Sequence, residues 1–339
     1  MFTKFRKGEN PDSTDFYKKM KKIKVISLCV ALALIVGSLC GCQVSKPSQK
    51  DDVSTKTATE TEAKGNSATS AETKICTMEF EGIANAWSLG GYVSLSGKKV
   101  KDNLLYRAGK LSAATEADIA KLKEEYNVST IVDFRSEEEA AAEPDPEIEG
   151  IENISVPVLE AGSVNQQAVV EIYRKNGNDV GKMYLEMVRA GVLHDEMYTA
   201  FFNSDKAMQG FRKFFDVLLS QEEGAVLWHC TGGKDRTGIA AIMLLTLLDV
   251  DKDTIFKDFT HINELNKQKM DYIASEVKKH TNNEEEIQQA AILSGVSPEH
   301  MNMVYENAEK ECGSMKKYIQ TKVGITDEEV EKLCDMYLE

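Results

Sequence analysis

The sequence predicts an α/β fold in which a mainly parallel central sheet is flanked by helices. Three observations carry this prediction. Short apolar segments of strand type alternate with amphipathic helical segments from about residue 103 onward. A four-residue apolar strand, Ala225–Trp228, leads through a glycine-bearing loop into an apolar helix, Thr237–Val250. The C-terminal third is helical in pattern, and strands that alternate with helices favour parallel pairing.

The first predicted elements lie between residues 103 and 134. Asn103–Gly109 is a short strand that ends at a glycine. The next segment is a helix, because Thr115 can cap its first turn together with Asp118 and apolar residues recur after it at helical spacing. Ser129–Phe134 has the apolar composition of a buried strand. These segments predict a strand, a helix and a second strand of the sheet.

The following elements lead to the glycine-bearing loop. Ile154–Leu159 is a further strand, and Pro157 implies that this strand lies at an edge or ends there. The stretch Ala161–Phe202 is mostly helical and holds several Met and Tyr residues. It is either a helical lid over the site or a part of the core. Ser204–Gly224 is a clear amphipathic helix.

The first 41 residues have the pattern of a secretory signal peptide. A lysine-rich cluster precedes the apolar run Val25–Leu39, and small residues end the pattern. The final Leu-Cys-Gly-Cys matches a bacterial lipobox, so we expect Cys42 to carry the lipid. An uncleaved anchor is the alternative, but fifteen residues fall short of the roughly 20 that cross a bilayer. We therefore predict an extracytoplasmic protein that is lipid-anchored to a bacterial cell membrane.

Residues 42–77 are predicted to form a disordered tether, and residues 78–339 the folded domain. The stretch Gln43–Lys74 is rich in Ser, Thr, Lys and Glu and has almost no apolar residue that could be buried. Residues 1–41 hold eight basic and three acidic residues, which leaves 33 basic and 52 acidic residues and a net charge of −19. Such a surface argues against nucleic acid as a partner. Acidic runs such as Ser136–Glu143 are interpreted as solvated faces.

The cysteines do not indicate a disulfide framework or a metal site. Four of the seven lie outside the signal and lipobox, and they lack the spacing of Cys-x-x-Cys or of Cys with His. A pairing of Cys312 with Cys334 stays open. We expect no cofactor and no metal.

The most informative stretch is "HCTGGKDRTG", His229–Gly238, between the apolar strand and the apolar helix. Backbone N–H groups and the helix dipole favour an anion at such a helix start. Gly232 and Gly233 let the backbone curl closely around it, and the planar fork of Arg236 can bind two phosphate oxygens. The predicted phosphate-binding residues are Thr231, Gly232, Gly233, Lys234 and Arg236. A structural turn is the alternative.

The loop also contains a candidate nucleophile. Cys230 faces the same donors, which stabilise a thiolate over a thiol, and a thiolate beneath a phosphate can attack phosphorus. Thr237 can donate a hydrogen bond to the sulfur, and His229 is expected to orient the loop. A nucleotide-binding P-loop is excluded, because Asp235 stands where that motif needs Ser or Thr. The motif therefore predicts a cysteinyl-phosphate mechanism.

The departing oxygen needs a proton donor, and two aspartates are candidates. Asp235 lies inside the loop. Asp133 lies at the carboxyl end of its strand, where ligands of open α/β sheets bind. The alternative for Asp133 is an ion pair that shapes the loop, with Arg135 or with Arg236. We favour Asp235.

The stretch His229–Gly238 resembles the HCxxGKDRTG signature of bacterial tyrosine-phosphatase-like proteins. The resemblance covers about residues 80–337, in segments that occur in the family's order. One departure is "NAWSLGGY", Asn85–Tyr92, where the family has an arginine and an aspartate. The further segments are Leu105–Leu111, Ile131–Glu139, Pro144–Pro146, Asp258–Asn263 and Gly313–Ile319.

The resemblance implies a cysteine-phosphatase-like fold and the hydrolysis of phosphate monoesters. The expected substrates are phosphotyrosine, and with it phosphoserine, phosphothreonine and phosphoinositides. Lys234 fits the wider range, because an additional cation attracts substrates that carry several phosphates; bonding to a nearby loop is its alternative. Two other functions stay open: hydrolysis of inositol phosphates, and binding of phosphorylated ligands without turnover.

Overall fold

The computed structural model describes residues 75–159, 166–191, 198, 202 and 204–339. The predicted signal peptide, the lipobox with Cys42 and the tether up to Lys74 lie outside these residues. Cys76 and Thr77, which the sequence places at the end of the tether, form the first strand of the sheet. This strand pairs with Trp87–Ser88, so regular structure begins two residues before the predicted boundary.

The described residues form a sheet of six strands: β1 Cys76–Thr77, β2 Trp87–Ser88, β3 Leu105–Ala108, β4 Val128–Asp133, β5 Glu152–Ser155 and β6 Ala225–His229. Their order in the sheet is β1-β2-β3-β6-β4-β5. The neighbours β3, β6, β4 and β5 pair in parallel, whereas β1 and β2 extend the sheet in antiparallel pairs. The mainly parallel sheet flanked by helices confirms the predicted fold class.

Strand β5 lies at the edge of the sheet, as the proline implied, but it ends earlier than expected. Its ladder with β4 runs from Glu152 to Ser155, whereas the sequence predicted a strand over Ile154–Leu159. Pro157 has no backbone N–H to donate, which explains why the ladder does not continue through it. Val156 and Val158 are still buried in the core.

Helices follow most strands and fill the C-terminal third of the described chain. The first helix begins with the predicted capping box of Thr115 and Asp118 at its N-terminus. It continues at its C-terminal end as a π-helical turn over Lys121–Glu125. The helices are α1 Glu116–Ala120, α2 Glu137–Ala142, α3 Gln166–Asn176, α4 Val180–Arg189, α5 Asp205–Ser220, α6 Asp235–Leu247, α7 Lys252–Leu265, α8 Lys267–Val277, α9 Glu284–Ile292, α10 Pro298–Cys312, α11 Met315–Lys322 and α12 Asp327–Tyr337.

Helix α6 lies at the centre of the core. Of its thirteen residues, eleven are buried, so this helix shows no polar face and must be enclosed by neighbours on all sides. The main core joins α6 to the sheet, to α5 and to the C-terminal helices. This enclosure holds the N-terminus of α6 firmly against the end of β6.

The described part of the predicted lid is packed against C-terminal helices. Tyr184, Leu185 and Met187 of α4 are buried in a separate apolar cluster with α8 and α9. Core packing was the alternative to a lid for these residues, and their burial in this cluster matches that alternative. The rest of the stretch, apart from Tyr198 and Phe202, lies outside the described residues.

None of the described helices combines the length and the apolar composition needed to cross a membrane. Cys312 and Cys334 are both free thiols, so the pairing left open in the sequence is not formed.

Candidate active site

The loop between β6 and α6 emerges at the carboxyl edge of the parallel sheet. Its preceding residue, His229, is flanked by Ala108 of β3 and Asp133 of β4. Helix α6 begins at Asp235, so residues 230–234 form the turn between strand and helix. Cys230 is 2% exposed and Arg236 8%. The structure therefore brings the predicted nucleophile and the predicted phosphate-binding arginine to one helix N-terminus.

Gly233 allows the loop to pack closely on β3. Gly233 has a φ of +67°, and a Cβ there would lie 2.6 Å from the backbone of Ala108 and Gly109. A larger residue would be strained and would also clash with the strand. The carbonyl of Gly233 accepts a hydrogen bond from Arg107 at 3.1 Å, and that of Gly232 accepts one from Asn85 at 2.8 Å. The loop is thus fixed from outside through its carbonyl groups.

Arg236 is held by a carboxylate that the sequence analysis assigned to a solvated face. Its Nη1 donates to Glu139 Oε2 at 2.6 Å and its Nη2 to Oε1 at 2.8 Å. Thr231 Oγ1 also donates to Oε1, at 2.6 Å. Burial alone would raise the pKa of Glu139, but the charge and hydrogen bonds of Arg236 and the Thr231 hydroxyl lower it to about 2. Glu139 is therefore a fixed anion beside the loop, which corrects the interpretation of this part of Ser136–Glu143.

The charge on Arg236 is correspondingly stable. Burial alone would lower the pKa of its guanidinium, but the charges of Glu139 and Cys230 raise it above its ordinary value. A permanent cation is the property that the predicted phosphate-binding role of Arg236 requires.

Below the start of the loop, four charged or titratable side chains form one buried group. Arg135 donates to Asp133 at 2.8 Å and to Asp145 at 2.7 Å. His229 Nε2 lies 3.0 Å from Asp145 Oδ2, and its Nδ1 lies 3.2 Å from the carbonyl oxygen of Cys230. We call Asp133, Arg135, Asp145 and His229 the β4-side cluster.

This cluster has the residue types of a metal site, since ligand atoms of Asp133, Asp145 and His229 lie within 4.8 Å of one another. However, Arg135 lies against both carboxylates and supplies their positive partner. The group therefore fits a structural ion pair better than a cation site. His229, which we expected to orient the loop, connects this cluster to the backbone of Cys230, the predicted nucleophile.

The two candidate acids lie in different surroundings. Asp133 accepts hydrogen bonds from the backbone and the guanidinium of Arg135, and it is 5% exposed. This is the ion pair considered as its alternative. Asp235 accepts a hydrogen bond from the Tyr198 hydroxyl at 2.5 Å, and its other oxygen lies 3.5 Å from Lys234 Nζ. Only Asp235 is a member of the loop and lacks a guanidinium partner in the described structure.

Tyr198 is a site residue that the sequence did not reveal. Its ring stacks on His300 at a centroid distance of 4.3 Å, and the side chain is 2% exposed. Burial raises the pKa of Tyr198, and the nearby charges of Asp235 and Cys230 raise it further. The phenol therefore stays protonated and acts as a donor to Asp235.

Two predicted residues are placed differently from expectation. Lys234 Nζ donates to the carbonyls of Leu293 and Gly295, each at 3.0 Å, which is the loop contact considered as its alternative. Thr237 is fully buried, but its hydroxyl makes no hydrogen bond with any residue of the described structure. The expected bond from Thr237 to the sulfur of Cys230 is thus not formed in this conformation.

A second buried network lies on the other side of the loop. Asp258 accepts hydrogen bonds from Trp87 at 2.7 Å, Tyr92 at 2.8 Å and Arg107 at 2.5 Å. The guanidinium of Arg107 also lies 4.1 Å from the centre of the Trp87 ring. We call Trp87, Tyr92, Arg107 and Asp258 the β3-side cluster.

This cluster explains the departure in "NAWSLGGY". Trp87 stands where the family pattern has an arginine, and it is fully buried with its indole N–H on Asp258. Its ring packs against Arg107, which carries the positive charge of the cluster. In this chain the position therefore contributes to the core below the loop.

The site residues that the sequence analysis missed differ in how much sequence signal they have. Ser136 and Glu139 have the spacing of a capping box, and Asp145 lies in the short "PDP" segment. Asp258 lies in the family-like segment "DFTHIN". Tyr198 had no signal beyond its place in a Met- and Tyr-containing helical stretch.

Sequence comparison with known proteins gives a family match and several relatives. A model of the tyrosine phosphatase family matches residues 78–339. A candidate tyrosine-protein phosphatase of Cupriavidus necator is 32% identical over 192 residues, which are 56% of this chain and 64% of that protein. A tyrosine-protein phosphatase of Nostoc commune is 49% identical over 49 residues, 14% of this chain and 17% of that protein. The chain thus spans less than two thirds of the length of either relative.

Two crystal structures of TpbA from P. aeruginosa also align with the chain, at 17% identity and a TM-score of 0.24. The first covers 58% of this chain and 89% of TpbA. The second, a Cys-to-Ser variant of TpbA in complex with phosphotyrosine, covers 57% and 89%. The family match extends over the whole domain that carries the loop, and it confirms the resemblance found in the sequence. This chain belongs to the tyrosine phosphatase family.

Proposed function

We propose that this protein hydrolyses phosphate monoesters, phosphotyrosine in proteins above all, through a cysteinyl-phosphate intermediate on Cys230. One observation carries the proposal: Cys230 begins the loop and Arg236 lies in the first turn of the buried helix α6, so both lie at one helix N-terminus. Backbone N–H groups and the helix dipole attract the phosphate dianion there. Arg236 adds a planar donor that matches its oxygens.

The reaction then has two displacements at phosphorus. The Cys230 thiolate attacks, the sulfur–phosphorus bond forms, and the bond from phosphorus to the substrate oxygen breaks. The loop N–H groups and Arg236 stabilise the charge on the remaining phosphoryl oxygens. A water molecule next attacks phosphorus, which releases inorganic phosphate and restores the thiolate.

Asp235 is the residue proposed to protonate the departing oxygen. It belongs to the HCTGGKDRTG stretch, whereas both oxygens of Asp133 are engaged with Arg135 in a buried ion pair. Asp235→Asn should slow alkyl phosphates, which have poor leaving groups, far more than aryl phosphates with acidic phenols. The measurement is kcat for a series of leaving groups, with Asp133→Asn as the comparison. Equal loss across the series in Asp235→Asn would contradict this assignment.

Two contacts favour phosphotyrosine over phosphoinositides and inositol phosphates. Lys234, the cation expected to attract additional phosphates, donates to the carbonyls of Leu293 and Gly295. Glu139 adds a negative charge beside the loop. Both reduce the attraction for a substrate with several phosphates. Phosphoserine and phosphothreonine are proposed as secondary substrates, because their phosphate makes the same loop contacts.

The deciding experiment measures phosphate release from four substrates: a phosphotyrosine peptide, a phosphoserine peptide, phosphoinositide vesicles and inositol hexakisphosphate. Wild type is compared with Cys230→Ser, and Cys76→Ser serves as the control because Cys76 is an exposed cysteine in strand β1, outside the loop. Release by wild type and the control, and none by Cys230→Ser, is expected. Peptide binding without release from any substrate would instead favour a non-catalytic phospho-ligand-binding protein.

We further propose that Cys42 carries a lipid that attaches the domain to the outer side of a bacterial cell membrane. The basic cluster, the short apolar run and the lipobox support this location. Metabolic labelling with an alkyne fatty acid should label the wild-type protein and not Cys42→Ser. Equal labelling of both would contradict a lipoprotein.

A further inference from the structure

The hydroxyl of Tyr198 is directed at the carboxylate of Asp235, the residue proposed to protonate the departing oxygen. It donates to Asp235 Oδ1, and the two oxygens are 2.5 Å apart. The phenol ring stacks on His300 of α10, with 4.3 Å between the ring centres. On another side it meets Phe259 of α7 edge to face, with 6.3 Å between the centres. The direction of the hydroxyl is therefore fixed by helices that lie outside the loop.

The two carboxylate oxygens of Asp235 have different surroundings. Oδ1 accepts the hydrogen bond from Tyr198. Oδ2 lies 3.5 Å from Lys234 Nζ, which is longer than an ordinary N–H···O hydrogen bond. The same Nζ already donates to the carbonyls of Leu293 and Gly295. Oδ2 is thus the oxygen that remains to hold a proton, on a side chain that is 18% exposed.

The phenol acts on this carboxylate as a neutral donor. Burial raises the pKa of Tyr198, and the charges of Asp235 and Cys230 raise it further, so the hydroxyl keeps its proton. Charged or titratable groups of the loop and of three helices face the pair in the described structure. They are Cys230 and Lys234 of the loop, Arg236 of α6, its partner Glu139 of α2, and His300 of α10.

A hydrogen bond is about twice as strong when its acceptor is charged as when both partners are neutral. The Tyr198 hydroxyl therefore stabilises Asp235 more strongly after the loss of its proton than before it. During hydrolysis the proton moves from Asp235 to the substrate oxygen while the bond from that oxygen to phosphorus breaks. Asp235 receives the negative charge in this step, so the contribution of the phenol grows as the proton leaves.

We propose that Tyr198 is a positioning residue for this proton transfer, which holds Asp235 by Oδ1, leaves the proton on Oδ2 and stabilises the carboxylate that remains. This inference rests on the proposed function, with Asp235 as its acid. A purely structural Tyr198, which fills space beside His300 and Phe259, makes different predictions when only its hydroxyl is removed.

The test is Tyr198→Phe, which keeps the ring and its two aromatic contacts. Tyr337→Phe is the matched control, because its buried hydroxyl donates to the carbonyl of Leu218, away from the loop. We expect kcat/KM of Tyr198→Phe for a phosphoserine peptide, whose leaving group needs the proton, to fall by about 10-fold. For an aryl phosphate with an acidic phenol the fall should be less than about 2-fold, because that leaving group departs without a proton.

The pH profile of kcat/KM for the phosphoserine peptide separates the two roles of Tyr198. Removal of a donor to the charged carboxylate favours the protonated form of Asp235 at every pH. The basic side of the profile, where the rate falls as the acid loses its proton, should therefore move to higher pH in Tyr198→Phe and stay in place in Tyr337→Phe. A loss of packing alone would lower the rate without moving this limb.

The double variant shows whether Tyr198 acts through Asp235. In an Asp235→Asn background, Tyr198→Phe should cause no further loss of rate, because the acid is already absent. A further loss as large as in the wild-type background would overturn the proposal. So would an equal loss for all leaving groups in Tyr198→Phe, or a limb that does not move. If Tyr198→Phe does not fold, Tyr198 is replaced by fluorotyrosine, a stronger donor of the same shape, and the limb should move to lower pH; an unchanged limb would contradict the proposal.

The proposed function and this inference fail in different experiments. If wild type releases no phosphate from any substrate, the proposed function fails and the role of Tyr198 fails with it. If wild type is active but Asp235→Asn slows all leaving groups equally, Asp235 is not the acid, and hydrolysis through Cys230 stands without this inference. If Asp235→Asn depends on the leaving group and Tyr198→Phe does not, only the role of Tyr198 is overturned.

Discussion

The β4-side and β3-side clusters fix the two sides of the same loop with different chemistry. The β4-side cluster places two carboxylates on one arginine and adds a histidine. The β3-side cluster places one carboxylate on one arginine and completes its hydrogen bonding with an indole and a phenol. Only the β4-side cluster therefore contains a carboxylate in excess of its arginine. The stabilisation that this cluster gains through Asp145 depends on pH, because the pKa of Asp145 is lowered in the folded protein.

The two clusters also differ in what they contact in the loop. The β4-side cluster reaches the backbone of Cys230 through His229. The β3-side cluster reaches the carbonyl of Gly233 through Arg107. The backbone of the predicted nucleophile is thus contacted by a histidine, and the glycine turn by an arginine. Four substitutions separate these roles, and each is read as a free energy of unfolding.

The largest loss is expected for Asp258→Ala in the β3-side cluster. This change leaves the buried guanidinium of Arg107 without its carboxylate, and a buried charge that loses its partner typically costs about 3–5 kcal/mol. Urea unfolding of the variant is compared with that of Asp253→Ala, an exposed aspartate on the same helix. A loss below about 1 kcal/mol would mean that Arg107 finds another partner.

Gly233→Ala should rank second. Its positive φ and the 2.6 Å approach of a Cβ to the β3 backbone both oppose a side chain, and backbone strain of this kind costs on the order of 1–3 kcal/mol. The control is Gly313→Ala, because Gly313 has a similar φ of +82° but open space around its Cβ position. The difference between the two variants isolates the close approach to the strand. Equal losses would show that φ alone matters.

The sequence was sufficient for the loop itself but not for its supports. "HCTGGKDRTG" is contiguous, so its strand, turn and helix could be predicted from local composition. The bond from Trp87 to Asp258 joins residues 171 positions apart, and that from Arg236 to Glu139 joins residues 97 apart. No local pattern specifies which strand or helix brings such pairs together. The ion pair of Asp133 could be predicted more easily, since its partner Arg135 lies two residues away in the sequence.

The other differences between the sequence predictions and the structure also arise from contacts between distant residues. The capping box of Ser136 and Glu139 is visible in the sequence, but the second use of the same carboxylate by Arg236 depends on the packing of α2 beside α6. Lys234 was assigned to the substrate from its charge. Its side chain instead reaches the carbonyls after α9, an element about 60 residues later. The sequence can therefore show that a charged residue lies in a loop, but it does not show which distant residue this side chain contacts.

Asp145→Asn tests the pH dependence of the β4-side cluster. Burial alone would raise the pKa of Asp145, but the hydrogen bond and charge of His229 and the charge of Arg135 lower it. Since the folded value lies below the unfolded one of about 3.9, its stabilisation is present above pH 4 and is lost as pH falls further. The variant should lose about 1–3 kcal/mol at pH 7.

The measurement for Asp145→Asn is the free energy of unfolding between pH 7 and pH 3. Glu147→Gln is the control, because this exposed glutamate lies two residues away. The gap between wild type and the variant should narrow below pH 4. A gap that stays constant with pH would show that Asp145 acts through hydrogen bonds alone.

The smallest effect is expected for Tyr92→Phe, which removes one neutral donor from Asp258 and leaves the ring in place. Trp87 and Arg107 still bond to this carboxylate, so the loss should be near 1 kcal/mol, the net value of one hydrogen bond. Tyr337→Phe is the matched control, because its buried hydroxyl donates to a backbone carbonyl, that of Leu218. The losses in Tyr92→Phe and Tyr337→Phe should therefore be similar. A loss in Tyr92→Phe of several kcal/mol more than in Tyr337→Phe would show that Trp87 and Arg107 do not hold Asp258 without the phenol, and the contrast drawn between the two clusters would then not hold.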